Sequence, residues 1–218
     1  EEGISQEAIS FAGLQKLNKL ILMYDCNDVT LDGPLSNSSV ENTVGRFQSA
    51  GWNVIKVEDG NSVEDIDKAI TIAKQSQEKP TMIMVHTVIG YGSAKQGTHK
   101  VHGSPLGIED GEHAKKVYGY NYGPFEVPEE VYYTFRESFV KRGQEAYANF
   151  AKVWKDYKDE NYDEALKIES TVDNDVSTLV YKDIPSYSEE FADSTRNCSG
   201  ACLNILNKQV FNLIGGSA

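Results

Sequence analysis

The residues best suited to chemistry fall in two polar loops, and the first is "DCNDVTLDG", residues 25–33, which follows an apolar run directly. Magnesium is held by oxygen ligands, usually a few from the protein and the rest from phosphates and water. The side chain of Asn27 and the backbone carbonyl of Val29 project to one side of an extended segment, so together they could supply two such oxygens. An ordinary Asx turn that closes a strand is the alternative, and spacing alone favours it, because Asn and Asp are common turn residues.

The second loop, residues 89–105, is rich in glycine and contains His99 and His102. Its "GYGSAKQG" stretch is neither a dinucleotide-binding nor a Walker motif. The two histidines are three residues apart, but the flanking glycines disfavour a helix that would pair them on a metal, and no third ligand is evident. A histidine at a strand end is better placed to hydrogen-bond a phosphate or a substrate hydroxyl, so we rank His102 first and His99 second. His86, within an apolar run, is expected to be a core histidine.

The segments around these loops predict the elements that position them. Apolar spacing indicates helices at 5–17, 40–50 and 61–77, and apolar runs indicate strands at 19–24, 53–58 and 81–88. The first and third strands are continuous apolar runs, typical of strands that are buried on both faces. This alternation predicts an α/β fold: a parallel sheet with helices on both faces. Ligands of such sheets bind past the carboxyl ends of the strands, which is where both loops lie.

The remaining residues predict a more helical region. Residues 127–158 read as one long helix or a pair of helices, whose aromatic residues we interpret as packing groups. Residues 172–192 are polar and irregular and are expected to form a linker. A further helix at 193–209 and a strand at 210–216 would begin a second domain.

The composition excludes several classes of function. The chain has 218 residues and a net charge of −12, from 33 acidic and 21 basic residues. Such a surface repels nucleic acid and anionic lipid, so neither is an expected partner. The sequence contains no run long and apolar enough to span a membrane. Its three cysteines form no disulfide framework, which indicates a reducing cytoplasm.

Four stretches together closely resemble the transketolase family. They are "EEGISQEAISFAGLQKLNKLILMYDCNDVTLDG", "GWNVIKVEDGN", "KPTMIMVHTVIGYGSAKQGTHKVHGSPLG" and "STRNCSGACLNILNKQVFNLIGGSA". The resemblance runs from Glu1 to Ala218 and is loosest over residues 155–190. It implies the thiamine diphosphate-binding fold and transfer of a two-carbon ketol unit from a ketose phosphate to an aldose phosphate, in the pentose phosphate pathway.

The resemblance also implies roles for individual residues. Asn27, through its side-chain oxygen, and Val29, through its carbonyl, would bind Mg²⁺ or Ca²⁺. Leu31 and Ile89 would contact the thiamine diphosphate, and His102 would reach both its diphosphate and the reacting end of the substrate. Two acidic residues, Glu2 and Glu7, match positions near the subunit interface of a homodimer, although acids in a first helical turn are the simpler interpretation.

By the same resemblance, the chain would be an internal part of a longer transketolase. Residues 1–171 would form the C-terminal part of the diphosphate-binding domain, 172–192 the linker, and 193–218 the start of the pyrimidine-binding domain. The Gly-Asp-Gly that opens the family's cofactor motif would lie upstream of Glu1, so the fold is expected to be incomplete. Without the remainder of the transketolase chain, we expect no activity.

Two alternatives stay open. Another thiamine diphosphate transferase, such as deoxyxylulose-phosphate synthase, would use the same cofactor, although the "IGYG" and "VHGSPL" stretches favour transketolase. A non-catalytic α/β assembly module would keep the sheet and lose the metal.

Overall fold

A computed structural model of the chain describes residues 3–173, 183–213 and 215. The chain divides into two compact units, Glu1–Phe125 and Glu126–Ala218. The first unit contains the sheet, and the second is helical in the residues that are described.

The first unit is built on a three-stranded parallel sheet. Its strands are β1 (Ile21–Cys26), β2 (Asn53–Val57) and β3 (Thr81–His86), in the order β1-β3-β2. In register, Cys26 pairs with His86 across β1 and β3, and Val57 pairs with Val85 across β2 and β3. The carboxyl ends of all three strands therefore lie at one edge of the sheet.

Helices cover both faces of this sheet, as the sequence predicts. The helices of the first unit are α1 (Gly3–Leu14), α2 (Thr43–Ser49), α3 (Val63–Lys74) and α4 (Ile108–Tyr118). Side chains of β3 alternate between faces, so Ile83 packs with α3 while Met82 packs with α1 and α2. The hydroxyl of Ser62 caps α3 by accepting the Asp65 N–H at 3.3 Å.

β3 and β1 differ in burial, although both were predicted as buried strands. β3 is the central strand, and Met82 and Ile83 are fully buried. β1 is an edge strand that begins two residues later than expected, and Leu22 and Met23 are 36% and 51% exposed. The prediction that β1 is buried on both faces is wrong in the described chain. Leu22 shares the face of Met82 and Met23 shares the face of Ile83, and the helices on these two faces leave both side chains partly uncovered.

The second unit consists of helices α5 (Glu129–Phe135), α6 (Arg142–Glu160), α7 (Tyr162–Val172) and α8 (Thr195–Gln209). A π-helical turn, Arg136–Lys141, joins α5 to α6 and makes them one continuous helical run, as the sequence allowed. Aromatic rings stack along it in pairs, including Phe150 with Trp154, but most remain exposed.

The predicted linker at 172–192 and the predicted strand at 210–216 are only partly covered by the described residues. Part of the predicted linker, residues 174–182, lies outside them. Of the strand expected at 210–216, residues 210–213 are irregular and contain a turn, and Ile214 and Gly216 lie outside the described part. None of the described helices combines the length and the apolar character needed to cross a bilayer.

Candidate functional site

The first loop begins where β1 ends and folds as a closed turn. The side-chain oxygen of Asn27 accepts the N–H of Val29 at 3.1 Å, which is the Asx turn expected as an alternative. Asp28 adopts a left-handed conformation, with φ of 58°. Further along, the N–H of Leu35 donates to the Asp28 carbonyl at 2.8 Å, and the N–H of Thr30 donates to the Gly33 carbonyl at 2.7 Å. These bonds hold the loop in one shape.

The Asx turn does not exclude a cation on the same residues. An amide oxygen has two lone pairs, so Asn27 can accept the Val29 N–H and still ligate a metal ion. Within the described part of the chain, no hydrogen-bond donor meets the Val29 carbonyl oxygen. Leu31, the expected contact to the cofactor, is 64% exposed in this loop.

The second loop follows β3 and is shaped by glycine. Gly90 and Gly92 have φ values of 63° and 85°, a conformation that side chains rarely adopt. A Cβ on Gly92 would also lie 2.6 Å from the Tyr118 ring, and one on Gly90 would lie 2.7 Å from a methyl group of Val101. The loop can therefore fold this tightly only with glycine at both positions.

Asp110, in the first turn of α4, fastens this loop. Its carboxylate accepts the Ser93 hydroxyl at 2.6 Å and the Ala94 N–H at 2.8 Å. These two bonds, the Ser93 bond first, lower the pKa of Asp110. No sequence pattern predicts this contact, because it joins residues 17 positions apart and belongs to no motif.

His102 ends a short 3₁₀ turn, His99–Val101, in the same loop. Its Nδ1 atom is buried and has no hydrogen-bond partner among the described residues, whereas His99 is exposed. A buried polar atom without a partner is uncommon in native proteins and is explained by a ligand, an ion or a water at that position. Ile89, which opens the loop, is half-buried.

The two loops start from neighbouring strands. Thr87, directly after β3, donates its hydroxyl to the Asp25 carboxylate in β1 and its N–H to the Cys26 carbonyl at 3.2 Å. The structure therefore places Asn27 and Ile89 in loops that leave the same edge of the sheet. Glu7 is exposed on α1, and Glu2 lies outside the described residues.

The expectation that His86 is a core histidine is wrong. β3 ends at this residue, and its side chain is 34% exposed, with Nε2 4.0 Å from an oxygen of Glu58. Apolar residues such as Val88 and Ile89 follow the strand, so the sequence pattern does not show that β3 already ends at His86. Cys26, its partner in register, is buried, and burial followed by the charges of Asp28 and Asp25 raises the pKa of its thiol.

A cavity of about 780 Å³ lies beside β1, on the side of α1 and α2. Its lining includes Ile9, Leu22, Tyr24 and Arg46 but neither Asn27 nor His102, and Thr30 is its contact with the first loop. The cavity is therefore lined mainly by β1, α1, α2 and the segment between β1 and α2, and it does not include the candidate site residues Asn27 and His102.

A family profile, curated relatives and solved structures all match this chain to transketolases. The family profile described as "Transketolase, thiamine diphosphate binding domain" matches residues 1–177. The whole chain is 42% identical to a probable transketolase of Streptococcus pneumoniae and 41% identical to the transketolase of Bacillus subtilis, and it spans about a third (33%) of the length of each. It also superimposes with a TM-score of 0.87 and 33% identity on a Pichia stipitis transketolase solved with sedoheptulose-7-phosphate, covering 100% of this chain and 32% of that one.

Proposed function

The chain belongs to the transketolase family through its thiamine diphosphate binding domain, and on that premise we propose that it serves ketol transfer between sugar phosphates. The substrates would be a ketose phosphate and an aldose phosphate. The observation that carries the proposal is that two loops leave the same end of a parallel sheet. Among the described residues, the Val29 carbonyl oxygen in the first loop meets no hydrogen-bond donor, and the buried Nδ1 of His102 in the second has no partner.

The residues present fit a diphosphate and its cation. The Val29 carbonyl and the second lone pair of Asn27 are oxygen donors, which suit Mg²⁺ or Ca²⁺. Because the edge also contains Asp25 and Asp28, a cation is needed to offset the charge of a bound anion. When bound, thiamine diphosphate supplies the carbon nucleophile for ketol transfer.

The protein groups of this chain would bind and orient. Asn27 and Val29 would hold the cation, and the exposed Leu31 and the half-buried Ile89 would present apolar surface to the cofactor rings. His102 would use its buried Nδ1 to hydrogen-bond the diphosphate or the reacting end of the substrate. Glycines at 90 and 92 let the backbone of the second loop approach closely, and Asp110 keeps that loop in place.

The domain boundaries, the second subunit and the cellular compartment are also part of the proposal. Residues 1–171 would belong to the diphosphate-binding domain, 172–192 to a linker and 193–218 to the pyrimidine-binding domain. The other two thirds of a transketolase and a second copy of the subunit would complete the site. The three free cysteines Cys26, Cys198 and Cys202 favour the cytoplasm.

A graft into a full-length relative tests this function. The segment replaces the matching third of the Bacillus subtilis transketolase, and ketol transfer is followed in a coupled assay. We expect Mg²⁺-dependent activity from the graft and none from the 218-residue chain alone. Asn27→Ala in the graft is expected to weaken Mg²⁺-dependent binding of thiamine diphosphate by tenfold or more, measured by calorimetry.

A folded graft that binds neither metal nor thiamine diphosphate would contradict the proposal and support an assembly module. Activity of the isolated chain would contradict the expected need for the other two thirds. Glu109→Gln, a change of an exposed acid on α4, is the matched control and is expected to leave binding unchanged.

A further inference from the structure

Strand register brings together three side chains that the proposed function does not use. Cys26 and His86 are partners across β1 and β3, so their side chains lie on the same face of the sheet. Asp28 follows Cys26 by two residues, and its Oδ1 lies 3.9 Å from the Cys26 sulfur. One ligand atom from each of the three residues lies within 4.8 Å of the other two.

These three donors differ in kind from those of the proposed cofactor cation. A thiolate, an imidazole and a carboxylate form a donor set for Zn²⁺ and similar ions, whereas Mg²⁺ takes oxygen ligands. Zinc bonds of about 2.0–2.3 Å in a tetrahedron place ligand atoms roughly 3.5 Å apart. The donors of this cluster lie within 4.8 Å of one another, so they need to approach by at most about 1.3 Å, which side-chain rotation can supply.

The burial of the three residues suits such an adjustment. Cys26 is 6% exposed and fixed in the strand, while Asp28 is exposed and the His86 side chain is 34% exposed. The buried sulfur would act as the anchor, and the other two side chains can move toward an ion. Exposure on this side also leaves a route for the ion and a coordination position for water.

The electrostatic surroundings favour a cation. Asp25 acts on the Cys26 thiol as a second negative charge beside Asp28. Glu58, directly after β2, has an oxygen 4.0 Å from Nε2 of His86. A carboxylate beside a metal-binding histidine commonly orients its ring, so Glu58 is placed to support His86.

We propose that Cys26, Asp28 and His86 form a binding site for a Zn²⁺-type ion. The site uses three protein ligands and leaves a fourth position for water. It neighbours the proposed Asn27 and Val29 site but shares no ligand atom with it.

Titration with Co²⁺, which substitutes for Zn²⁺ and is visible by absorbance, tests the site. A thiolate ligand gives Co²⁺ a near-ultraviolet charge-transfer band that oxygen ligands do not give, so the cofactor cation site does not contribute to it. The background is the chain with Cys198→Ser and Cys202→Ser, which leaves Cys26 as the sole thiol. We expect the band in this background, and we expect excess Zn²⁺ to abolish it.

Variants locate the ligands. Cys26→Ser is expected to remove the band, and His86→Asn to weaken Co²⁺ binding by tenfold or more. Because Cys26 is buried, circular dichroism accompanies its variant, and the partly exposed His86 provides a second test that does not depend on the core. Asn27→Ala is expected to keep the band, which separates this site from the proposed function. Absence of a band in the background, or binding unchanged by His86→Asn, would overturn the proposal.

Discussion

Among single residues, Asp110 has the most clearly defined structural role, because its carboxylate holds the glycine-rich loop. It accepts one bond from a hydroxyl and one from a backbone N–H of the glycine-rich loop, and the Ser93 side of this contact is 3% exposed. Hydrogen bonds to a charged acceptor are stronger than neutral ones. The carboxylate therefore couples the shape of the loop that holds His102 to the first turn of α4.

Asp110→Ala is expected to release the start of this loop. The Ser93 hydroxyl and the Ala94 N–H lose their acceptor, so amide hydrogen exchange at residues 93–97 should accelerate by roughly tenfold or more. Exchange measured by mass spectrometry checks this, with Glu109→Gln as the matched control in the same helical turn. Unchanged exchange in Asp110→Ala would show that other contacts hold the loop.

The same contact predicts a pH dependence. The folded pKa of Asp110 is lowered, so its contribution to stability is fully present above the ordinary aspartate value of about 3.9 and is lost as pH falls through the lower folded value. Loop protection in the wild type should therefore decline below about pH 4. Asp110→Asn, which cannot titrate, should remove this part of the decline. An identical acid profile in both proteins would contradict the assignment.

The sequence predicted the positions of both loops but not every contact within them. The sequence predicts Asn27 either as a turn residue or as a metal ligand. In the structure it forms the Asx turn, and its side-chain oxygen keeps a second lone pair. His86 was misplaced, because the periodicity of an apolar run does not reveal where a strand ends. The Asp110 contact depends on how the loop returns to α4, and no local pattern encodes it.

At the scale of elements, α1 approaches the turn before β2 more closely than a side chain would permit. A Cβ on Gly13 would lie 1.8 Å from the Ala50 carbonyl oxygen. Close by, the indole N–H of Trp52 donates to the Ile9 carbonyl at 2.9 Å, and Trp52 packs edge-on against Phe47 at 5.1 Å. Helix α1 is therefore positioned by backbone contact at Gly13 as well as by its apolar face.

Gly13→Ala is expected to destabilise the first unit by about 1–3 kcal/mol, the usual cost of overpacking, although alanine is the better helix former. Gly111→Ala in α4 is the matched control, because nothing lies within 4 Å of its added Cβ. That variant should be neutral or more stable by up to about 1 kcal/mol. Urea denaturation of both variants measures the difference, and equal stabilities would contradict the close approach of α1.

Sheet order explains which element predictions held. Strand β3 was expected to be buried and is, because it lies between β1 and β2. Strand β1 has the same apolar character but lies at the edge, and strand order depends on long-range pairing that a local pattern does not report. The spacing of apolar residues does not predict the π-helical turn at 136–141 either, because one widened turn barely shifts that spacing.

At the scale of the whole molecule, the two units differ sharply in how much they bury. The first unit buries most of β3, the Phe47 and Trp52 rings and the facing side chains of α3. In the described residues of the second unit, Ala165 alone is buried, and Phe139, Tyr147 and Phe150 are 59%, 71% and 59% exposed. The matched structures are about three times as long, so we propose that further residues cover these rings in a complete enzyme.

This contrast predicts two levels of protection in the isolated chain. Local opening is easiest where few apolar groups are buried, so amides of α6 should exchange at least tenfold faster than those of β3. Hydrogen exchange at two protein concentrations measures this, because self-association through the exposed rings would protect α6 only at the higher one. If α6 amides were as well protected as those of β3 at low concentration, the second unit would be stable without further residues packed on its aromatic rings. The proposal that such residues cover these rings would then be wrong.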